Sequence, residues 1–178
     1  MSTAPHVFSG RPVTWEDYLG LGEDSHAEFI DGQLVMSPSP TFDHQEICFL
    51  LAAGLRRVVP AGHRVAQGWG WKPSDDEFIP DVMVVPATGE QARFTGTPDL
   101  AIEVLSTNRS DDLVLKTGKY AAAGLPHYWI VDPRDRTFSA FVLHGGMYAR
   151  AVHAEGSGRL VVSFGVAELD VELGELFG

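Results

Sequence analysis

Apolar and polar positions along this chain follow two different periods, and the switches between them mark out its elements. Thr14-Trp15-Glu16-Asp17 sets a cap residue three positions ahead of an acid, which predicts a short helix through Tyr18 and Leu19 that ends near Gly20 or Gly22. Glu28-Phe29-Ile30 and Leu34-Val35-Met36 flank Asp31-Gly32, a pair that tolerates the positive φ of a tight turn, so a β-hairpin is predicted here. From Asp43 to Val59, Ile47, Leu50, Leu51, Leu55 and Val58 recur at helical spacing until Pro60 and Gly62 stop the pattern. Val82–Val85 and Leu100–Leu105 are short, β-branched and bounded by proline, as buried strands are. Asp111 to Ala123 reads as a helix closed by Gly124, and Tyr128–Val131 resumes a strand, which gives a strand–helix–strand unit. Strand patterning returns over Thr137–Leu143, a turn follows at Gly145-Gly146, and a helix is predicted over Leu169–Phe177.

No repeat, low-complexity tract or linker divides this pattern. At 178 residues it suits a single domain over 14–178 behind a tail of residues 1–13. A hydrophobic share of 44% with 21% charged residues belongs to chains that fold unaided rather than to disordered ones. The lone cysteine, Cys48, lies in the apolar run Ile47-Cys48-Phe49-Leu50, so an internal disulfide and a cysteine zinc cluster are excluded and a cytoplasmic address is expected. Met1–Arg11 lacks a basic region followed by an apolar stretch, and no window approaches the ~20 apolar residues of a bilayer span, so no membrane association is expected. The net charge of −11, with only 13 Lys and Arg residues, weighs against generic nucleic-acid affinity, which comes from neutralising phosphates. Divalent cations on a carboxylate-lined site, or a dimer that aligns its basic residues, would offset that deficit.

Several charged residues stand where charge is costly. An ionised Glu103 inside Leu-Ala-Ile-Glu-Val-Leu-Ser must be paired, hydrogen-bonded, metal-bound or turned to water from an edge strand. Strand alternation sets Ala101, Glu103 and Leu105 on one face and Leu100, Ile102 and Val104 on the other. Asp81 heads the next apolar run back, after Pro80, either as a strand-end turn residue or as a partner for Glu103. Two converging carboxylates repel each other unless a proton or a cation intervenes, and oxygen-only ligands favour Mg²⁺ or Mn²⁺. Glu28, on the hairpin, says little alone, since such acids are usually solvated. Lys116 and Lys119 share nearly one helix face, and lone helix lysines usually face solvent. His44 fits a metal or phosphate contact, or a surface capping group, and no HxH or HExxH spacing supports a zinc hydrolase. Trp69 and Trp71 are placed on one strand face, available for base stacking, core packing or a subunit interface. A P-loop, a dinucleotide fingerprint, a GxSxG elbow and a Cys-His pair are all absent.

Taken in order, Glu28…Asp31-Gly32, His44, Pro80-Asp81, Glu103-Val104-Leu105-Ser106, Lys116…Tyr120, Gly124-Leu125-Pro126 and Tyr128-Trp129-Ile130-Val131-Asp132 resemble the Uma-type endonucleases, a bacterial branch of the PD-(D/E)XK nuclease superfamily. The likeness spans about Thr14 to Phe177 and is most specific from Glu103 to Asp132. It implies an α/β fold of the restriction-endonuclease type, with a mixed sheet flanked by helices. It further implies Asp81 and Glu103 as the motif acids, and Glu28 as the acid of an earlier element that completes a metal site. Leu105 occupies the usual lysine position, and in this family the lysine stands on the following helix, four residues before the tyrosine, which selects Lys116 over Lys119. His127 departs from the acidic residue that relatives often carry there. The implied activity is phosphodiester hydrolysis in DNA, with Mg²⁺ or Mn²⁺ on Asp81, Glu103 and Glu28 and with Lys116 stabilising the phosphorane or positioning the water. Glu103→Ala and Lys116→Ala are expected to lower cleavage and leave the fold intact. Small nucleases pair to reach two strands, so a homodimer is expected. The rival reading is a binding or regulatory module that keeps the scaffold without the activity, and the acidic balance favours it.

Overall fold

The computed structural model describes residues 12–22, 27–36, 39–106 and 110–178, with backbone alone for 110–112. The tail expected over 1–13 therefore lies almost wholly outside the described residues. Helix α1 (Trp15–Leu19) opens with the expected capping box, in which Thr14 and Asp17 satisfy each other's backbone amides, and it closes at Gly20. Strands β1 (Ala27–Ile30) and β2 (Gln33–Met36) form the predicted hairpin, turned by Asp31 and Gly32 at φ of 51° and 71°. Helix α2 (Phe42–Val58) is capped by Thr41, one turn before His44. Strands β3 (His63–Gln67), β4 (Gly70–Trp71), β5 (Val82–Pro86), β6 (Arg93–Phe94) and β7 (Leu100–Val104) precede helix α3 (Ser110–Ala122). Strands β8 (His127–Asp132), β9 (Thr137–His144), β10 (Met147–Glu155), β11 (Arg159–Ser163) and β12 (Glu168–Glu172) lead into helix α4 (Leu173–Leu176).

A six-stranded sheet in the order β10-β9-β8-β7-β5-β3 carries the fold. Its one parallel pair, β7 and β8, is joined by α3, the strand–helix–strand unit that the sequence predicts. The alternation read for β7 holds. Leu100, Ile102 and Val104 enter a core with Leu51 and Leu55 of α2 and with Val162, Leu169 and Val171 of β11 and β12, while Ala101 enters a second core with Tyr120 of α3, Trp71 and Phe78. Three layers result. Helix α2 and the β11–β12 pair cover one face of the sheet, and α3 with the β4–β6 arm covers the other. Side chains of this size contribute about 1.5–3 kcal/mol each when fully buried, so the two cores hold the sheet rigidly between them.

One expectation about the fold is corrected. The helix predicted over Leu169–Phe177 begins only at Leu173, because Glu168–Glu172 alternates strictly, with Leu169 and Val171 inward, and pairs with β11. Helix α4 is the remaining four-residue turn. Strand β10 lies at the sheet edge with most of its residues partly or fully exposed, so it lacks the apolar alternation by which strands are read. For Trp69 and Trp71 the packing reading holds: Trp71 is fully buried against Phe78 and Tyr120, and Trp69, partly buried, packs against the same core beside Phe94. Trp71 is thus committed to the core and is not a surface for a second subunit. Among the described residues no helix is long and apolar enough to cross a membrane.

His127, at the start of β8, packs under Gly165, where an added Cβ would stand 2.9 Å from Nε2 and where φ is +84°. Its Nδ1 is buried without a hydrogen-bond partner among the described residues. Burial lowers its pKa below the ordinary 6.5, opposed by the nearby Asp99 carboxylate. The folded state therefore takes up this proton at lower pH than the unfolded chain does, so stability should fall as pH drops below about 6.5. Urea melts of wild type and His127→Asn between neutral and mildly acidic pH should show a shallower acid-side loss in the variant. Gly165→Ala should cost about 1–3 kcal/mol through the positive φ and the clash with the ring, read from the same melts.

Candidate functional site

The candidate residues gather at the end of the central sheet where β5 begins and β7 ends. Asp81 immediately precedes Val82, which pairs with Ile102, the residue before Glu103. The Asp81 carboxylate accepts from the Val104 amide at 2.8 Å and meets His44 Nε2 of α2 at 3.3 Å. His44 lies one helical turn before Cys48, and Nδ1 stands 3.7 Å from Cys48 Sγ. Both are buried, so His44 is neither the cap nor a surface group, and one donor atom from each of His44, Cys48 and Asp81 fits within 4.8 Å of the others.

On the other face of the sheet, Glu103 is 2% exposed on a strand with neighbours on both sides, which removes the edge-strand alternative. Tyr120 Oη donates to its Oε1 at 2.8 Å, and Lys116 Nζ lies 3.4 Å from the same oxygen. Lys116 Nζ also lies 2.9 Å from Glu28 Oε1, which in turn accepts from the Ile79 amide at 2.6 Å. One ammonium thus serves two carboxylates, with all three side chains shut away from water. Burial first, then the charges of Glu103 and Glu28, hold the Tyr120 phenol well above its ordinary range, so it stays protonated as a donor. Glu28 is accordingly no solvated hairpin acid. The hairpin is docked by the antiparallel bridge between Phe29 and Glu77, which exchanges two backbone hydrogen bonds.

The two lysines separate cleanly. Lys119, one turn further along α3, donates to Asp76 at 2.9 Å and to Asp31, and Asp76 accepts from the Asp31 amide at 2.8 Å. These bonds, Asp31 first, raise its pKa, and they fasten the hairpin turn to α3. Lys119 is a clamp, and Lys116 faces the acids. Of the readings for His44 the structure keeps the one beside the acids, while Cys48 and Tyr120 carry no predicted role; the Cys-His pair that the sequence reading takes to be absent is present as His44 and Cys48, four residues apart on one face of α2.

A cavity of about 410 Å³ lies to the side, lined by Tyr18, Gly68, Trp69, Ile79 and the ion pair of Glu77 with Arg93. None of Glu28, Asp81, Glu103 and Lys116 lines it, and the chemistry of the acids belongs to the packed cluster at the strand ends.

With this geometry in place, comparison with known proteins is informative. No curated protein matches the chain. The fold matches a crystal structure described as "a putative nuclease belonging to DUF820" from Anabaena variabilis, with a TM-score of 0.77, 21% identity, and coverage of 93% of this chain and 98% of that one. At that identity the likeness establishes the fold. The family model of Uma2, described as "Putative restriction endonuclease", matches residues 15–172, a span that contains every acid and lysine of the site, and the chain therefore belongs to the Uma2 family.

Proposed function

We propose that the chain is a divalent-metal-dependent endonuclease that hydrolyses phosphodiester bonds in DNA, acting in the cytoplasm as a homodimer. The observation that carries this reading is the convergence of Glu28, Glu103 and Lys116 beside Asp81 at one end of the sheet. Glu28 and Glu103 converge on one buried ammonium and Asp81 stands at the neighbouring strand end, and carboxylate oxygens are the donors that hard cations take. Asp81, Glu103 and Glu28 would hold Mg²⁺ or Mn²⁺, whose contribution is to lower the pKa of a bound water and to shield the phosphate. The chain's own residues do the positioning. Tyr120 fixes one oxygen of Glu103, the Val104 amide and His44 fix Asp81, and the Ile79 amide fixes Glu28. Lys116 would supply the positive charge that meets negative charge developing on a scissile phosphate.

A second reading, a nucleic-acid-binding or regulatory module without cleavage, draws on the net charge of −11. Cleavage of supercoiled plasmid in Mg²⁺ and in Mn²⁺ separates the two. Wild type should nick or cut, and Asp81→Asn and Glu103→Gln should each lose about 10²–10³-fold. A wild type that leaves plasmid intact while Mn²⁺ calorimetry stays silent would establish the module instead.

The burial of Lys116 changes what its removal should do. Taking one partner from a buried ion pair costs about 3–5 kcal/mol because the remaining charge is left uncompensated. Lys116→Ala should therefore lower the denaturation midpoint markedly, contrary to the sequence-based expectation of an intact fold. Chemical denaturation of Lys116→Ala beside Lys116→Ala/Glu28→Gln checks this, since neutralising one acid should recover part of the loss.

A further inference from the structure

The donors around Asp81 are not those of a magnesium site alone. His44 and Cys48 sit four residues apart on α2, both buried, and both face the Asp81 carboxylate across the sheet end. We propose that His44, Cys48 and Asp81 bind a thiophilic divalent ion of the zinc class through one nitrogen, one sulfur and one oxygen, with water in the fourth tetrahedral position.

The chemistry of the set selects the ion. Mg²⁺ takes oxygen ligands in near-octahedral geometry, and neither a thiolate nor an imidazole suits it. A sulfur, an imidazole and a carboxylate together suit Zn²⁺, and Co²⁺ after it. The spacing agrees. Zn–S bonds of ~2.3 Å and Zn–N bonds of ~2.0 Å place the two ligand atoms of a tetrahedral ion roughly 3.5 Å apart. His44 Nδ1 and Cys48 Sγ stand 3.7 Å apart, and His44 Nε2 and Asp81 Oδ2 stand 3.3 Å apart. These distances run to the two different ring nitrogens, of which an ion takes one, and with one donor atom per residue the three ligands lie within 4.8 Å of one another. The Val104 amide bond to Asp81 orients that ligand from behind, as outer partners of metal sites do. The Asp81 side chain keeps 15% of its surface exposed, against 8% for His44, which gives an ion and its water a way in from the strand end. On binding, the Cys48 thiol proton leaves to solvent and the thiolate sulfur bonds to the ion. The site shares Asp81 with the nuclease reading but does not rest on it.

The chain has a single cysteine, so any sulfur-to-metal signal reports Cys48 without a variant. Titration of the tag-free full chain with Co²⁺ should raise a near-ultraviolet thiolate-to-cobalt charge-transfer band that saturates at about one ion per chain. Zn²⁺ should erase the band, and a large excess of Mg²⁺ should not. Zn²⁺ should also slow alkylation of Cys48 by iodoacetamide in wild type. Cys48→Ser should abolish the band, and His44→Ala should weaken Co²⁺ binding at least about 100-fold, as expected for a direct ligand when outer partners alone are worth 10–100-fold. A folded wild type that shows no charge-transfer band, or unprotected Cys48 in saturating Zn²⁺, would overturn the proposal and leave an S–H···N hydrogen bond only. Plasmid cleavage plays no part in this readout, so failure here and failure of the nuclease reading are distinguishable.

Discussion

One buried ammonium holds this end of the molecule together. Lys116 comes from α3, Glu103 from the sheet and Glu28 from a hairpin that shares no strand with the central sheet, and the three meet out of water. Separately, each charge would cost several kcal/mol to bury, and only the mutual contact with additional hydrogen bonds makes the burial tolerable. The surrounding donors follow from that requirement: Tyr120 for Glu103, and the Ile79 amide for Glu28. Lys119 and Asp76 secure the hairpin turn from outside, so that Glu28 is presented at a fixed height.

The site has a symmetry that the sheet imposes. Helices α2 and α3 lie on opposite faces, and each turns a pair of side chains four residues apart toward the same strand ends. His44 and Cys48 approach Asp81 from one side, and Lys116 and Tyr120 approach Glu103 from the other. The two acids of neighbouring strands are therefore served by different layers, one with a ring nitrogen and a sulfur, the other with a cation and a phenol. The soft-ion reading draws on the first of these sides and the hard-ion reading on the second, with Asp81 common to both.

Local signals in the sequence were faithful wherever structure is decided locally. The capping box at Thr14, the Asp31-Gly32 turn, the helix that stops at Pro60 and the αL residue Gly124 all follow from rules that act within a few residues. The unit from β7 through α3 to β8 was legible because a parallel pair demands a long crossover. Glu103 could be singled out because a charge in a buried strand needs an explanation. What the pattern did not carry was depth. Glu28 looks like a solvated hairpin acid until the hairpin docks through Phe29 and Glu77, and His44 looks like a helix-start surface group until Asp81 arrives from a strand 37 positions later. Strands β10 to β12 escaped because an edge strand and a small covering pair need little apolar alternation, and β12 hid inside a stretch that also suited a helix.

The order of the four charged residues along the chain has a consequence for synthesis. A ribosome releases Glu28, Asp81 and Glu103 before Lys116, and the acids then belong to a chain whose neutralising cation is still to come. Since ionised Glu28 and Glu103 are costly to bury without that cation, the docked hairpin and the closed strand end are stabilised only once α3 has emerged. The constellation at the sheet end can thus close only after α3 has emerged, so a chain that stops short of Lys116 carries the acids in full yet lacks the cation that lets Glu28 and Glu103 come together.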